Sequence, residues 1–332
     1  LSNSTVIEIT KISNAQPNGY TYPVAIEVPT GISTPMPVAI VLHGREGTGP
    51  GSLNQFRNTL DNHILVAPSG YLKCWNITDE PSDLPDIEFL GELITEIKSY
   101  PNVDPTKIRI VGTSNGAGMA NRVFVEIDDP GIDIICPIVS QLHTGNYRNG
   151  NFYYPSNEQN TGGAHGESKG YDTQKNPATG RRILAITNTN DGTIPYSGGP
   201  KFGSDFLHSQ DAAYAMATSQ GYTGSQLSND AGIELYSGIF KYSYLNDQVV
   251  HIKGSAGHTL DNNLKTILRD FFDRPPPPAT PSSLIVSARS TEQINLQWND
   301  NSKDETGFVI QKSAAGNSGW TVFKTLPANT VI

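Results

Sequence analysis

The chain alternates short apolar runs with amphipathic stretches over most of its length. Thr5 to Ile12 and Tyr20 to Val28 alternate apolar and polar positions as antiparallel strands do, and Asn18-Gly19 between them is a turn signal. Pro37 to Leu42, Ile64 to Ala67, Ile108 to Val111, Ile132 to Val139 and Arg182 to Thr187 are nearly continuous apolar runs, the mark of strands buried on both faces. Between them, Leu53 to Asn62, Asp86 to Tyr100 and Asn115 to Ile127 carry helical patterns. In the second, Ile87, Leu90, Leu93, Ile94 and Ile97 recur on one face. Strand and helix in alternation predict an α/β fold, with a mostly parallel central sheet flanked by helices.

Later segments keep this rhythm with one interruption. Ser140 to Arg182 is rich in Asn, Gly, Tyr, Ser and Thr and has no clear period. A loop this long in a compact domain is usually functional, and its place after a sheet strand predicts that it reaches the active-site edge. Gln210 to Ser219 predicts a helix, Ile233 to Ile252 a set of strands, and Leu260 to Phe272 a closing helix. Residues 274–281 then form a proline-rich linker. Beyond it come only short alternating strands: Leu284 to Ala288, Ile294 to Trp298, Phe308 to Gln311 and Trp320 to Lys324. The pattern therefore divides the chain into residues 1–273, the linker 274–281 and a small all-β segment 282–332, with no internal repeat.

Composition narrows the function classes. The net charge of −9 on 332 residues disfavours nucleic acid and anionic membrane surfaces as partners. In the tail Arg289, Lys303, Lys312 and Lys324 balance Glu292, Asp300, Asp304 and Glu305, so the negative surplus lies before the linker. No apolar run is long enough for a transmembrane helix, so no membrane span is expected. The 2 cysteines, Cys74 and Cys136, are too few for a disulfide scaffold and lack zinc-site spacing. The chain begins at Leu1 and shows no signal peptide, which suits a mature secreted form or a trimmed chain.

The stretch with the most chemical content is Ile108 to Met119, IRIVGTSNGAGM. Gly112-Thr113-Ser114-Asn115-Gly116 follows a predicted strand and opens a predicted helix. That is the strand–turn–helix setting in which G-x-S-x-G lifts a serine hydroxyl out of a sharp elbow. Helix N–H groups and the helix dipole there favour developing negative charge. A serine nucleophile needs a base, and the base an orienting acid. On α/β-hydrolase scaffolds they come in the order Ser, Asp or Glu, His. Asp191 follows the strand Arg182 to Thr187, and His258 lies between a late strand and the last helix. Asp-Gly turns and helix-capping histidines are common singly, but the three in this order point to catalysis. His63, His208 and His251 are placed less well for the base. His143 and His165 lie in the insertion, where either is a substrate contact. Asp172, Asp205 and Asp211 are rival acids, though none directly follows a buried strand. Two N–H donors should hold the oxyanion: that of Asn115, and one from Arg45 or Gly44 in the glycine loop after Leu42. His43 is read as a buttress of that loop and as a residue bordering the substrate.

Several segments carry a family resemblance. They are Leu42-His43-Gly44, Asp86 to Leu90, Val103-Asp104-Pro105, Gly112 to Gly116 with Met119, Asp191-Gly192-Thr193-Ile194-Pro195-Tyr196 with Gly198-Gly199, and Gly257-His258-Thr259. Together they resemble the polyhydroxybutyrate-depolymerase and feruloyl-esterase-like family of secreted α/β-hydrolases. The resemblance implies an α/β-hydrolase catalytic domain over 1–273, secretion, and Ser114, Asp191 and His258 as the triad. It implies a serine esterase that needs no cofactor or metal. Its substrates would be short-chain or aromatic esters, such as feruloyl or acetyl esters of plant polysaccharide, or polyhydroxyalkanoate polyester. The Cys74-Trp75-Asn76 loop resembles a family segment near the cleft, so Trp75 is either a stacking platform for an aromatic acyl group or polyester chain or a partly buried loop aromatic. The Thr259-Leu260-Asp261 sequence, the segment Tyr214 to Thr223 and the long insertion depart from the family pattern and leave the substrate open. The tail resembles a fibronectin type III module, with Trp298 as its core tryptophan. About four strands fall short of that module's seven, so the expectation is a partial module. The alternatives are a serine peptidase, or a non-catalytic binding protein on the same scaffold.

Overall fold

The computed structural model describes residues 1–31, 35–157, 170–275, 278, 281–290, 292–302, 305–314, 316 and 320–330. His165, Lys303 and Asp304 lie outside them. The chain forms two units, Leu1–Arg274 and Pro275–Ile332.

The first unit opens with a hairpin of β1 (Thr10–Lys11) and β2 (Tyr20–Thr21), then β3 (Val24–Glu27), β4 (Met36–Leu42), α1 (Gly49–Phe56) and β5 (Ile64–Pro68). There follow α2 (Asp86–Lys98), β6 (Val103–Thr113), α3 (Asn115–Glu126) and β7 (Ile132–Ile138). The insertion holds β8 (Tyr147–Arg148), β9 (Asn151–Pro155) and β10 (Tyr171–Gln174). After it come β11 (Arg182–Asn188), a hairpin of β12 (Gly199–Lys201) and β13 (Ser204–Phe206), α4 (Ser209–Ser219), β14 (Ile233–Tyr236), β15 (Ile239–Tyr244), β16 (Val249–Gly254) and α5 (Asn262–Asp273).

A nine-stranded sheet runs in the order β14-β15-β16-β11-β7-β6-β4-β5-β3. From β16 to β5 neighbouring strands are parallel, and β3, β15 and β14 add antiparallel margins. Side chains alternate across the sheet, so each central strand feeds two cores. On β4, Val38, Ile40 and Leu42 join one with Phe89, Leu93 and Met119, while Ala39 and Val41 join the other with Phe56, Leu264 and Leu268. The apolar runs are continuous because both faces are covered.

Three sequence expectations change. Thr5 to Ile12 is paired only at Thr10 and Lys11, opposite Thr21 and Tyr20. Its inward positions are Ile7 and Ile9, which pack on the core, and Lys11, whose ammonium bridges Glu88 and Glu92 on α2 at 2.7 and 2.6 Å, while Ile12 faces solvent. Pro23, which has no N–H for a ladder, separates β2 from β3. The helix expected at Leu53 to Asn62 instead spans Gly49–Phe56. Thr48 caps it and Pro50 sits in its first turn, a stronger start than the apolar period indicated. The insertion carries a three-stranded antiparallel sheet, β10-β9-β8, where no period was legible.

In the second unit β17 (Ser282–Ala288) pairs with β18 (Ile294–Asn299), and β19 (Gly307–Lys312) pairs with β20 (Thr321–Pro327), all antiparallel. Trp298 is buried there, its ring 5.3 Å from that of Phe308.

Candidate active site

β4, β6, β11 and β16 are parallel and in register at their ends: Leu42 lies beside Gly112, and Asn188 beside Gly254. The loops leaving these carboxyl ends therefore converge on one edge of the sheet, where α/β proteins place ligands. Four separated stretches of sequence meet there.

β6 turns directly into α3 through Ser114, which has φ 56° and ψ −118°. A non-glycine residue in that region stores about 1–3 kcal/mol of strain, maintained only where the surroundings dictate it. A Cβ on Gly112 would lie 1.9 Å from the Gly116 carbonyl oxygen, and one on Gly116 would lie 2.3 Å from that of Leu42. Both glycines are thus required by close backbone approach. The elbow presents the Ser114 hydroxyl to His258, with Oγ to Nε2 at 2.7 Å. On the far side of the ring, Nδ1 is 2.7 Å from Asp191 Oδ2. Asp191 Oδ1 accepts the N–H groups of Thr193 and Ile194 at 2.8 and 3.0 Å, so the Asp-Gly turn itself fixes the carboxylate. With Nδ1–H donating to Asp191, Nε2 is the acceptor for the serine hydroxyl.

The His258 loop is clamped from below. The buried Asn188 side chain donates to the carbonyls of Gly257 and Thr259, at 2.8 and 2.9 Å, on either side of the histidine. Asn188 closes β11, three residues before Asp191, so one strand end positions both the Asp191 carboxylate and the His258 loop.

The glycine loop after β4 approaches the elbow from the other side, where a Cβ on Gly44 would lie 3.3 Å from the Thr113 carbonyl oxygen and 3.4 Å from the Ser114 Cβ. His43 is buried and stands behind this loop. Its Nδ1 bonds the Gly44 carbonyl at 2.7 Å, and its Nε2 accepts the Gly70 N–H at 2.9 Å. Burial pushes its pKa down, which keeps the ring neutral. The Gly44 carbonyl also accepts the Gly47 N–H at 2.9 Å. In a trans peptide the carbonyl and the next N–H point in opposite directions. Anchoring the Gly44 oxygen inside the loop therefore turns the Arg45 N–H away from the loop interior. Gly44, Arg45, Ser114, Asn115 and His258 all line a cavity of about 430 Å³. Its remaining walls include Ile77, Thr78, Glu80, Ser140, His143, Ile194, Phe202, Ser204 and Phe206.

Trp75 is not among them, which corrects its expected role as a stacking platform. It is fully buried, and its indole N–H donates to the His43 carbonyl at 2.9 Å. Its backbone N–H donates to Asn115 Oδ1 at 2.7 Å, and Asn115 Nδ2 donates back to its carbonyl at 3.2 Å. Trp75 supports the glycine loop and the elbow from behind. His43 likewise lies behind the loop rather than on the cavity wall, as its buttress reading expects and its reading as a substrate contact does not. His143 does line the cavity, from the described part of the insertion, as does Ser140.

Sequence reasoning missed Glu80. Its Oε1 accepts Asn115 Nδ2 at 2.9 Å, and its Oε2 accepts the N–H groups of Ile77 and Thr78 at 3.1 and 2.6 Å. Burial pushes its carboxyl pKa up, against the pull of these donors and of the Arg45 charge. Sequence reasoning also missed the β12–β13 hairpin, which brings Phe202, Ser204 and Phe206 to the cavity. Its tip is Phe202-Gly203, with φ 48° and 69°, and Phe-Gly is not among the dipeptides that mark a tight hairpin in sequence.

The remaining titratable candidates are engaged elsewhere. Asp172 accepts from Ser156, and Asp211 accepts from Gln226. His208 caps α4, His63 contacts Arg109 at 2.6 Å, and His251 contacts the Tyr196 hydroxyl at 3.1 Å. Cys74 and Cys136 are buried and unbridged. Among the described residues no His, Cys, Asp and Glu side chains cluster as a metal site would, and no helix is long and apolar enough to cross a membrane.

No protein-family model matches the chain. A putative esterase, NocK, of Nocardia uniformis subsp. tsuyamanensis is 29% identical over 103 residues, which are 28% of this chain and 30% of that protein. The chain thus matches under a third of that relative's length. An acetyl xylan esterase from Aspergillus awamori superposes with a TM-score of 0.50 at 16% identity, over 75% of this chain and 94% of that one. A Bacillus cereus carboxylesterase superposes with a TM-score of 0.48 at 12% identity, over 76% and 93% of the two chains. The strand order, the elbow and the acetyl xylan esterase likeness identify the fold of the first unit as the α/β-hydrolase fold.

Proposed function

We propose that the chain is a serine carboxyl-ester hydrolase. The observation that carries this reading is the continuous chain from Ser114 Oγ to His258 Nε2 and from His258 Nδ1 to Asp191 Oδ2, each at 2.7 Å, beside a cavity edged by unengaged backbone N–H groups. Among the described residues neither the Arg45 nor the Asn115 N–H has a backbone acceptor. The partial relative described as a putative esterase adds support.

In this mechanism Ser114 Oγ attacks the ester carbonyl carbon while His258 Nε2 takes its proton. The carbonyl π electrons move to the oxygen, and the N–H groups of Asn115 and Arg45 stabilise the resulting oxyanion. Asp191 holds the imidazolium that has formed. The tetrahedral intermediate collapses, the C–O bond to the alcohol breaks, and His258 returns the proton to the departing oxygen. Water, deprotonated by His258, then attacks the acyl-enzyme, and collapse of the second intermediate releases the acid and restores Ser114.

A cavity of about 430 Å³ suits a short-chain or aromatic acyl group. Feruloyl or acetyl esters of plant polysaccharide and hydroxyalkanoate esters fall within that range. Ser114→Ala should reduce hydrolysis of p-nitrophenyl acetate by about three orders of magnitude or more, measured as initial rate with folding checked by circular dichroism. Near-full activity in the folded variant would refute the reading.

A further inference from the structure

One wall of the cavity comes from an irregular segment, Trp75 to Thr78, that belongs to no helix or strand. Side chains hold its backbone at every step. Asn115 bonds the N–H and the carbonyl of Trp75, at 2.7 and 3.2 Å. The Asn76 N–H donates to Asp86 at 2.7 Å, and the Asn76 carbonyl accepts from Arg122 at 2.7 Å. The Ile77 N–H donates to Glu80 at 3.1 Å, and the Ile77 carbonyl accepts the Tyr171 hydroxyl at 2.9 Å. The Thr78 N–H donates to Glu80 at 2.6 Å. Asp86, Arg122 and Tyr171 are all fully buried. Irregular backbone whose polar groups are each met by buried partners is a fixed wall, since moving it would strand those groups.

Ile77 is the apolar residue that this segment contributes to the cavity. A Cβ on Gly118 would lie 2.4 Å from the Ile77 Cδ1, and Gly118, which offers only backbone, lines the same cavity. Glycine inside a helix is destabilising relative to alanine, and here it leaves room for the tip of Ile77. Gly118 stands four residues after Ser114, which is about 6 Å along α3. The tip of Ile77 therefore meets the cavity about one helical turn from the nucleophile. The leaving alcohol has to lie beside His258, which protonates it. Thr193 and Ile194, whose N–H groups hold Asp191, wall the cavity on that side. The acyl group is left the side along α3, where Ile77 stands.

We propose that Ile77 sets the length of acyl chain that the cavity accepts, and that Tyr171 is the positioning residue that keeps it there. The insertion then acts on specificity from behind the wall, through one hydroxyl on β10. This rests on the ester-hydrolase reading and deepens it by naming the residue that bounds the acyl side.

The test measures kcat/KM on p-nitrophenyl acetate, butyrate, hexanoate and octanoate, and on methyl, butyl and octyl acetate as the alcohol-side control. The readout is the hexanoate-to-acetate ratio among the p-nitrophenyl esters. A general loss of stability or of catalytic power leaves that ratio unchanged, because both esters meet the same folded protein and the same triad. Ile77→Ala removes three carbon atoms from the wall and should raise the ratio about tenfold or more, since one methylene in an apolar pocket is worth about tenfold or more. Tyr171→Phe keeps the ring and removes only the hydroxyl that holds the Ile77 carbonyl, and should raise the ratio by a smaller factor. Where Ile77→Ala does not fold, Ile77→Val keeps most of the packing and should move the ratio in the same direction by less. An unchanged ratio in the folded Ile77 variant would overturn the proposal, as would a shift confined to the alkyl acetates. An unchanged ratio in folded Tyr171→Phe would overturn the positioning role. If no ester is turned over and a fluorophosphonate leaves Ser114 unlabelled, the ester reading itself fails.

Discussion

At the scale of single residues, the site depends on side chains that hold backbone groups. Glu80 is the clearest case. Its carboxylate joins the turn at Ile77 and Thr78 to Asn115, whose N–H is the proposed oxyanion donor. Replacing one carboxylate oxygen by an NH₂ puts a donor against a donor, whichever way the new amide is turned. A hydrogen bond to a charged group is worth about 1.5–3 kcal/mol, but Asn115 is also held by the Trp75 backbone, so only part should be lost. Glu80→Gln should therefore lower kcat on a p-nitrophenyl ester about tenfold and leave KM nearly unchanged, because the oxyanion exists only beyond the ground state. A lower melting temperature with unchanged kcat would reduce Glu80 to a structural brace. Asn188 works in the same manner, holding both carbonyls that flank His258.

At the scale of elements, the chain was legible where local rules decide the outcome. The parallel strands were visible because burial on both faces removes polar positions from them. The elbow was visible because two close backbone approaches demand glycine at Gly112 and Gly116. Asp191 and His258 were found by their place after strands, and β11 and β16 do deliver them to the same edge. Other features depended on contacts distant in sequence. Trp75 looks like a binding aromatic in its loop, yet the His43 carbonyl and Asn115 take its hydrogen bonds and bury it. Glu80 is an unremarked acid until the fold brings Asn115 against it. The insertion strands β8 to β10 are short and half polar, so no period stands out. α1 was misplaced because its start is set by the Thr48 cap and by the close passage of Gly49 past Ala67, not by apolar spacing.

At the scale of the whole molecule, buried titratable groups tie stability to pH. His63, His143 and His251 are all buried, and burial lowers each pKa to about 3. In the unfolded chain each returns to about 6.5. Below that value the unfolded chain takes up protons that the folded chain refuses. Their neutral burial therefore carries no penalty above about pH 7, and stability is lost progressively as pH falls from about 6.5 towards 3. The melting temperature should be several degrees lower at pH 5 than at pH 7, followed by calorimetry in matched ionic strength; an unchanged value would contradict these protonation states. The sheet, the glycine loop and the Asn188 clamp all converge on the Ser114 hydroxyl, and the most direct test of the account reads that hydroxyl. The folded protein is incubated with a fluorophosphonate, digested, and mapped by mass spectrometry. The account predicts a single adduct on Ser114 that is nearly lost in His258→Ala. No adduct on the folded protein, or an adduct on another serine, would contradict it.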